Sequence, residues 1–119
     1  MKFIRHDADR IGGEIELALL NKDIEKANTI HLSVQKGMLF LEDKITANPD
    51  FRILMTGCDD ILATYSGNQL EFAFLEELIK LFHSATESTI SISVGDNLQE
   101  AVLNLRKAKL LGRKQIVGM

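Results

Sequence analysis

Residues 51–68 read Phe51-Arg52-Ile53-Leu54-Met55-Thr56-Gly57-Cys58-Asp59-Asp60-Ile61-Leu62-Ala63-Thr64-Tyr65-Ser66-Gly67-Asn68. Phe51 to Met55 has the composition of a strand, Thr56-Gly57-Cys58-Asp59 that of a tight turn, and Asp60 to Tyr65 that of the return strand. The pair predicts a β-hairpin with acids at its tip. Pro49, the only proline, stops whatever helix precedes the hairpin. Ser66-Gly67-Asn68 turns the chain out of it.

Upstream, Lys2 to Ala8 predicts a short strand with Phe3 and Ile4 near its centre. Asp9-Arg10-Ile11-Gly12-Gly13 predicts a turn, and Glu14 to Leu20 a short helix. Asp23 offers an N-cap for a long helix reaching about Ala47, with Ile30, Val34, Met38, Leu41 and Ile45 as its apolar stripe. Downstream, a helix from about Gln69 to Ala85 carries Phe74, Leu75, Leu78 and Phe82 on one face. Thr89 to Val94 alternates Ile90, Ile92 and Val94 with Ser91 and Ser93, the period of a strand whose serines face outward. Asn97 and Glu100 have capping-box spacing, and Leu98, Ala101, Val102, Leu105 and Ala108 form the stripe of the helix they open. Gly112 sits where a helix C′ glycine belongs, and Gln115 to Val117 adds a last strand. The order β-α-(α)-β-β-α-β-α-β predicts an α+β, ferredoxin-like βαββαβ core with helices on one face, plus an extra C-terminal helix and short strand. Residues 1–119 form one domain, with no linker, repeat or low-complexity tract.

A chain of 119 residues, 45% hydrophobic and 26% charged, can bury roughly two-thirds of its unfolded surface and needs no staple. One cysteine excludes a disulfide framework and a multi-cysteine zinc site. No apolar run reaches the roughly 18 residues of a membrane span, so a soluble cytoplasmic protein without membrane insertion is expected. The net charge of −3 argues against binding a long nucleic-acid polymer. That charge is unevenly placed. Residues 101–119 hold Arg106, Lys107, Lys109, Arg113 and Lys114 and no acid, +5, whereas residues 1–100 hold nine basic and seventeen acidic residues, −8.

Four acids stand out by position. Asp7 and Asp9 end the first strand, and Asp59 and Asp60 sit at the hairpin tip. Neighbouring strands would bring the two pairs together, and carboxylates so placed repel unless cations neutralise them. Hard ions such as Mg²⁺ or Mn²⁺ take oxygen ligands from a few carboxylates plus substrate phosphates, and two such ions suit phosphoryl chemistry. The plainer reading is that each Asp caps a turn. Other candidates carry less. Adjacent strand residues face opposite ways, so His6 does not share the side of Asp7. Cys58 has no base beside it in any motif.

Gly57-Cys58-Asp59-Asp60 resembles the Gly-Gly-Asp-Asp hairpin of the type III CRISPR polymerase palm and the Gly-Gly-Asp-Glu-Phe hairpin of diguanylate cyclases. Asp7-Ala8-Asp9-Arg10-Ile11-Gly12 resembles the Asp-x-Asp-x-Ile-Gly strand end of small relatives. Ala108-Lys109-Leu110-Leu111-Gly112-Arg113-Lys114 is similar to the cyclases' Ala-Lys-x-x-Gly-Arg-Asn segment. Together these motifs span nearly the whole chain and resemble the minimal CRISPR polymerase family of stand-alone palms, a superfamily that also includes GTP cyclohydrolase III. Cys58 stands where the motif has its second glycine.

The resemblance implies a nucleotidyltransferase that makes a cyclic dinucleotide, of the cyclic di-AMP type, from ATP or another NTP in antiphage signalling. It implies two Mg²⁺ or Mn²⁺ ions on Asp7, the Ala8 carbonyl, Asp59 and Asp60, with Asp59 and Asp60 catalytic. It places Asp9, Arg10, Ile11 and Gly12 in the loop that meets the triphosphate at a helix start, and Lys109 and Arg113 on the phosphates. A homodimer and a separate effector protein that senses the product follow from the same resemblance. The competing readings are a ring-opening hydrolase like GTP cyclohydrolase III, or a non-catalytic ferredoxin-like nucleotide-binding module.

Overall fold

Strand β1 (Lys2–Ala8) turns Ile4, His6 and Ala8 into the core and leaves Phe3, Arg5 and Asp7 half-buried on the other side, as period-two alternation requires. The computed structural model describes residues 1–119. After β1 come helices α1 (Ile11–Leu20) and α2 (Ile24–Thr46), then the hairpin β2 (Phe51–Thr56) and β3 (Asp60–Tyr65). Helix α3 (Phe72–Thr86), strand β4 (Ile90–Gly95), helix α4 (Leu98–Leu110) and strand β5 (Ile116–Val117) complete the chain. The sheet order is β2-β3-β1-β4-β5, antiparallel except for β4 and β5. The first four strands are arranged as the predicted βαββαβ core, and β1 lies at the centre between β3 and β4.

The main core lies between one sheet face and α2 with α3. Ile4, Ile61, Ile90, Ile92 and Val94 meet Val34, Met38, Leu41 and Ile45 of α2 and Leu75, Leu78 and Phe82 of α3. The Asp23 side chain caps α2 by accepting from Lys26 N at 3.0 Å, and Asn97 caps α4 by accepting from Glu100 N at 2.8 Å. No helix is long and apolar enough to cross a membrane.

The two helices of the βαββαβ core, α2 and α3, lie on one face as expected; four other expectations need correction. Helix α4 covers the opposite side, because Ser93 Oγ donates to Ala101 O at 2.7 Å and Asn104 Nδ2 to Val94 O at 2.8 Å. Ser91 and Ser93 are therefore wholly buried rather than outward-facing. Of the α4 stripe only Ala101, Leu105 and Ala108 are buried, while Leu98 and Val102 are about half exposed. Small alanines let the helix lie close on a serine-lined strand, and larger residues are turned aside. Helix α1 starts at Ile11, not Glu14, so Gly12 and Gly13 belong to its first turn. Helix α3 starts at Phe72 rather than Gln69, since Tyr65 Oη donates to Gln69 O at 2.7 Å and holds that segment out of the helix.

Candidate functional site

The hairpin register decides where the acids fall. Asp7 pairs directly with Asp60 on one side and with Ser91 on the other. Side chains directly opposite across an antiparallel pair share a face, with Cβ atoms about 5 Å apart. The turn is locked by Gly57 N donating to Asp60 O at 2.8 Å, and Ala8 N donates to Asp59 O at 2.8 Å. A Cβ on Gly57 would meet the Asp60 carboxylate, so a larger residue there would displace that acid. Cys58 is exposed and its φ is not positive. The turn therefore accepts cysteine where the related motif has glycine.

Three carboxylates thus gather at one end of β1 and β3. Burial pushes the Asp7 carboxyl above its usual range; the Lys109 charge and hydrogen bond pull it back, and Asp59 and Asp60 add to the rise. Asp60 Oδ2 accepts from Arg5 Nη2 at 3.2 Å. Lys109 Nζ, on the last turn of α4, reaches four oxygens: Asp7 O, Asp7 Oδ1 and Ala8 O, each at 3.2 Å, and Asp9 Oδ1 at 2.6 Å. An ammonium thus fills an all-oxygen cluster at this spot.

Asp9 is placed differently from the other acids. It is 4% exposed. Besides Lys109, it accepts from Thr89 Oγ1 at 2.6 Å, Ser91 Oγ at 2.7 Å and Lys114 N at 3.1 Å. Burial alone would raise its pKa, but the Lys109, Thr89 and Ser91 hydrogen bonds outweigh that and hold the carboxyl below its usual range.

Arg10 is exposed with φ 58, and Ile11 is buried in the core, so this residue faces the site only through its backbone. A Cβ added at Gly12 or Gly13 meets nothing within 4 Å, so the first turn of α1 has open space beside it. Its first N–H groups have no partner within the helix, an arrangement that suits anions. Arg113 lies past the end of α4, half-buried, with its Nε buried and unpartnered. A cleft of about 470 Å³ opens from Glu14 along α1 to α2 and the turn after α3, lined also by Asn21, Asp23, Lys26 and Glu87.

No group of three or more His, Cys, Asp or Glu side chains is close enough to hold an ion by itself. The residues present nonetheless fit Mg²⁺ or Mn²⁺ chemistry. Mg²⁺ keeps water and is held by one or two carboxylates plus substrate phosphates rather than by an all-protein cage. Asp7, the Ala8 carbonyl and the neighbouring Asp59 offer such a hard-oxygen set.

The fold brings together Asp7, Ala8, Asp9, Asp59, Asp60 and Lys109. Reading the sequence missed four participants. Arg5 was visible in principle, since strand period places it on the face of Asp7. Thr89, Ser91 and the Lys114 amide lie 80, 82 and 105 residues from Asp9, and no local pattern marks them.

A family model described as the minimal CRISPR polymerase domain matches residues 3–119. Among solved structures, the Csm1–Csm4 cassette in complex with cA4 matches with a TM-score of 0.71 and 18% identity, covering 99% of this chain and 21% of that one. The same cassette in complex with pppApA gives 0.70 and 19%, over 99% and 20%. The active GGEEF domain of a diguanylate cyclase from Vibrio cholerae gives 0.60 and 14%, over 98% and 80%. The chain spans about a fifth of the cassette chains it matches. At these identities the likeness is one of fold, a palm of the polymerase and cyclase type. No curated protein matches the chain.

Proposed function

The chain belongs to the minimal CRISPR polymerase family, and from that we propose that it joins and cyclises nucleoside triphosphates into a cyclic dinucleotide used in antiphage signalling. The observation that carries this reading is the meeting of Asp7, Asp59 and Asp60 at one end of the central strands, facing a basic helix end. A ribose hydroxyl of one nucleotide attacks the α-phosphorus of another, the new P–O bond forms, and the bond to the β-phosphate breaks to release pyrophosphate. A second such step closes the ring.

Asp7, the Ala8 carbonyl, Asp59 and Asp60 are the proposed holders of Mg²⁺ or Mn²⁺. Held there, such ions would supply a lower pKa for the attacking hydroxyl and offset charge on the pyrophosphate. Asp59 and Asp60 also orient the attacking hydroxyl. The triphosphate lies along the Arg10–Gly13 stretch, where the first N–H groups of α1 and the open space at Gly12 receive it. Lys109 and Arg113 contact its phosphates. For Lys109 this means leaving some of the oxygens it now holds. The cleft starting at Glu14 and one of about 460 Å³ lined by Gln35, Met38, Thr56, Gly57 and Cys58 offer room for a base. ATP as the substrate is favoured by the cA4 and pppApA bound in the similar cassette structures, and a cyclic di-AMP product is the proposed two-membered form. One palm presents one donor site, so ring closure uses two copies face to face, and a separate effector protein reads the product.

Incubating the purified protein with each NTP and Mg²⁺ or Mn²⁺, followed by mass spectrometry, tests the reading. Cyclic dinucleotide and pyrophosphate are expected. Formamidopyrimidine products would assign a ring-opening hydrolase instead, and no product with no metal-dependent thermal shift would leave a binding module. The double variant Asp59→Asn, Asp60→Asn should lose turnover by at least about a hundredfold and keep its fold; retained turnover removes these acids from catalysis.

A further inference from the structure

The C-terminal segment holds an unusual backbone. Gly112, Arg113 and Lys114 have φ of 110°, 66° and 51°, three left-handed residues in succession, two of them not glycine. Each such non-glycine residue is costly and persists only where its surroundings over-determine it. Two bonds from this run reach into the body of the fold. Arg113 N donates to Ala108 O at 3.0 Å, which closes the end of α4. Lys114 N donates to Asp9 Oδ2 at 3.1 Å, and Asp9 lies at the other end of the chain.

Asp9 is equipped to hold such a run. Both of its oxygens are engaged: Oδ1 by Ser91 Oγ and Lys109 Nζ, Oδ2 by Thr89 Oγ1 and Lys114 N. Its own amide donates to Thr89 O at 2.8 Å, which ties the carboxylate's backbone to the start of β4. A buried carboxylate with four donors has little capacity left for a metal ion or a phosphate-bound cation. Asp7, by contrast, has one side-chain donor and is half-buried.

We infer that Asp9 is a positioning residue: a buried latch that fixes Lys109 and the left-handed Gly112–Lys114 run against the β1–α1 turn, and so sets the geometry of the basic segment without itself touching metal or nucleotide. Its catalytic consequence rests on the reading that Lys109 and Arg113 meet the phosphates, but the latch itself does not. The latch joins an acid of the −8 part of the chain to the +5 tail by two charged or polar bonds.

Amide hydrogen exchange of the full chain separates the latch from the function. In the wild type the Lys114 amide should be protected, since it donates to Asp9 Oδ2. Asp9→Asn keeps the shape but removes the charge and one acceptor oxygen, and should speed Lys114 exchange by at least about tenfold. An unchanged Lys114 rate in a folded Asp9→Asn protein would overturn the latch. The wild type supplies a test that needs no variant. Saturating Mg²⁺ with ATP should leave Lys114 protected, because Asp9 stays engaged; loss of that protection would mean that Asp9 turns to the metal and would overturn the proposal. Kinetics test the positioning role. Asp9→Asn should raise the nucleotide KM by about tenfold, and in a Lys109→Met background it should add less than about twofold, because both changes remove the same placement. Full additivity would overturn positioning through Lys109. If the wild type turns over no nucleotide, the functional reading fails while the exchange result still decides the latch.

Discussion

Arg5, His6 and Asp7 are neighbours in β1 and have three different surroundings. Arg5 and Asp7 share the half-buried face, one bonded to Asp60 and the other to Lys109. His6 points the other way and is wholly buried. Its Nδ1 lies 3.1 Å from Ile61 O, and Nε2 has no partner. A carbonyl only accepts, so the neutral ring carries its proton on Nδ1. Burial drives its pKa down to about 4, against a smaller upward pull from the Ile61 bond. The unfolded chain takes up a proton near pH 6.5 and the folded chain only near 4, so stability is full above about 6.5 and is lost as pH falls toward 4. The loss amounts to roughly 3 kcal/mol. Urea midpoints measured from pH 7 to 4.5 should fall along this course, and His6→Leu should flatten it. The same slope in the variant would assign it to other groups. That His6 faces away from Asp7 was legible from strand period alone. The roles of Asp7 and Asp9 were not separable that way. Two acids two apart in one motif look alike until Thr89, Ser91 and Lys114 close around one of them.

Helices α2 and α3 show how an element's limits depend on its partner. The α2 stripe of Val34, Met38, Leu41 and Ile45 was readable from spacing, but Gly37 was not part of it. Gly37 is buried where α2 crosses α3, and a Cβ there would meet the Thr86 methyl and Phe82 Cε1, the latter at 2.9 Å. Gly37→Ala gains about 1 kcal/mol of helix propensity and loses about 1–3 kcal/mol by overpacking. The crossing should dominate, giving a net loss of about 1 kcal/mol as a lower denaturant midpoint with unchanged slope. A midpoint at or above wild type would show slack in the crossing. Helix α1 illustrates a different error. Gly12 and Gly13 read as a turn because glycine is a poor helix former, yet they open the helix with no positive φ. Arg10, not a glycine, takes the left-handed residue before it, at φ 58.

At the scale of the molecule, the uneven charge has a structural meaning. The basic tail folds back onto the acidic strand end through the Lys109 side chain and the Lys114 amide, and the Lys109 ion pairs with Asp7 and Asp9 neutralise part of each excess internally. The face that carries the site is only partly covered: α4 lies over β4, while Leu54 and Met55 on β2 and Leu98 and Val102 on α4 remain exposed. Under the proposed face-to-face reaction, sedimentation should show a dimer in the presence of ATP and a divalent ion. Formation of a cyclic dinucleotide by a species that stays monomeric at all concentrations would rule out the two-copy arrangement.

The sequence by itself determined the element order, the βαββαβ core, the hairpin with acids at its tip and the identity of most groups at the site. These follow from periodicity, turn chemistry and short motifs, which act over a few residues and need no partner. Tertiary structure decided which sheet face α4 covers, that Ser91 and Ser93 are buried beneath it, and that Lys109 closes on Asp7, Ala8 and Asp9. It also decided that Asp9 is saturated while Asp7 is not. The packing of α4 on β4 comes from contacts between residues 8 and 10 positions apart in the two elements, and the Asp9 and Lys109 contacts join segments 80 to 105 residues apart; a buried carboxylate's role is set by the donors that surround it rather than by its place in a motif.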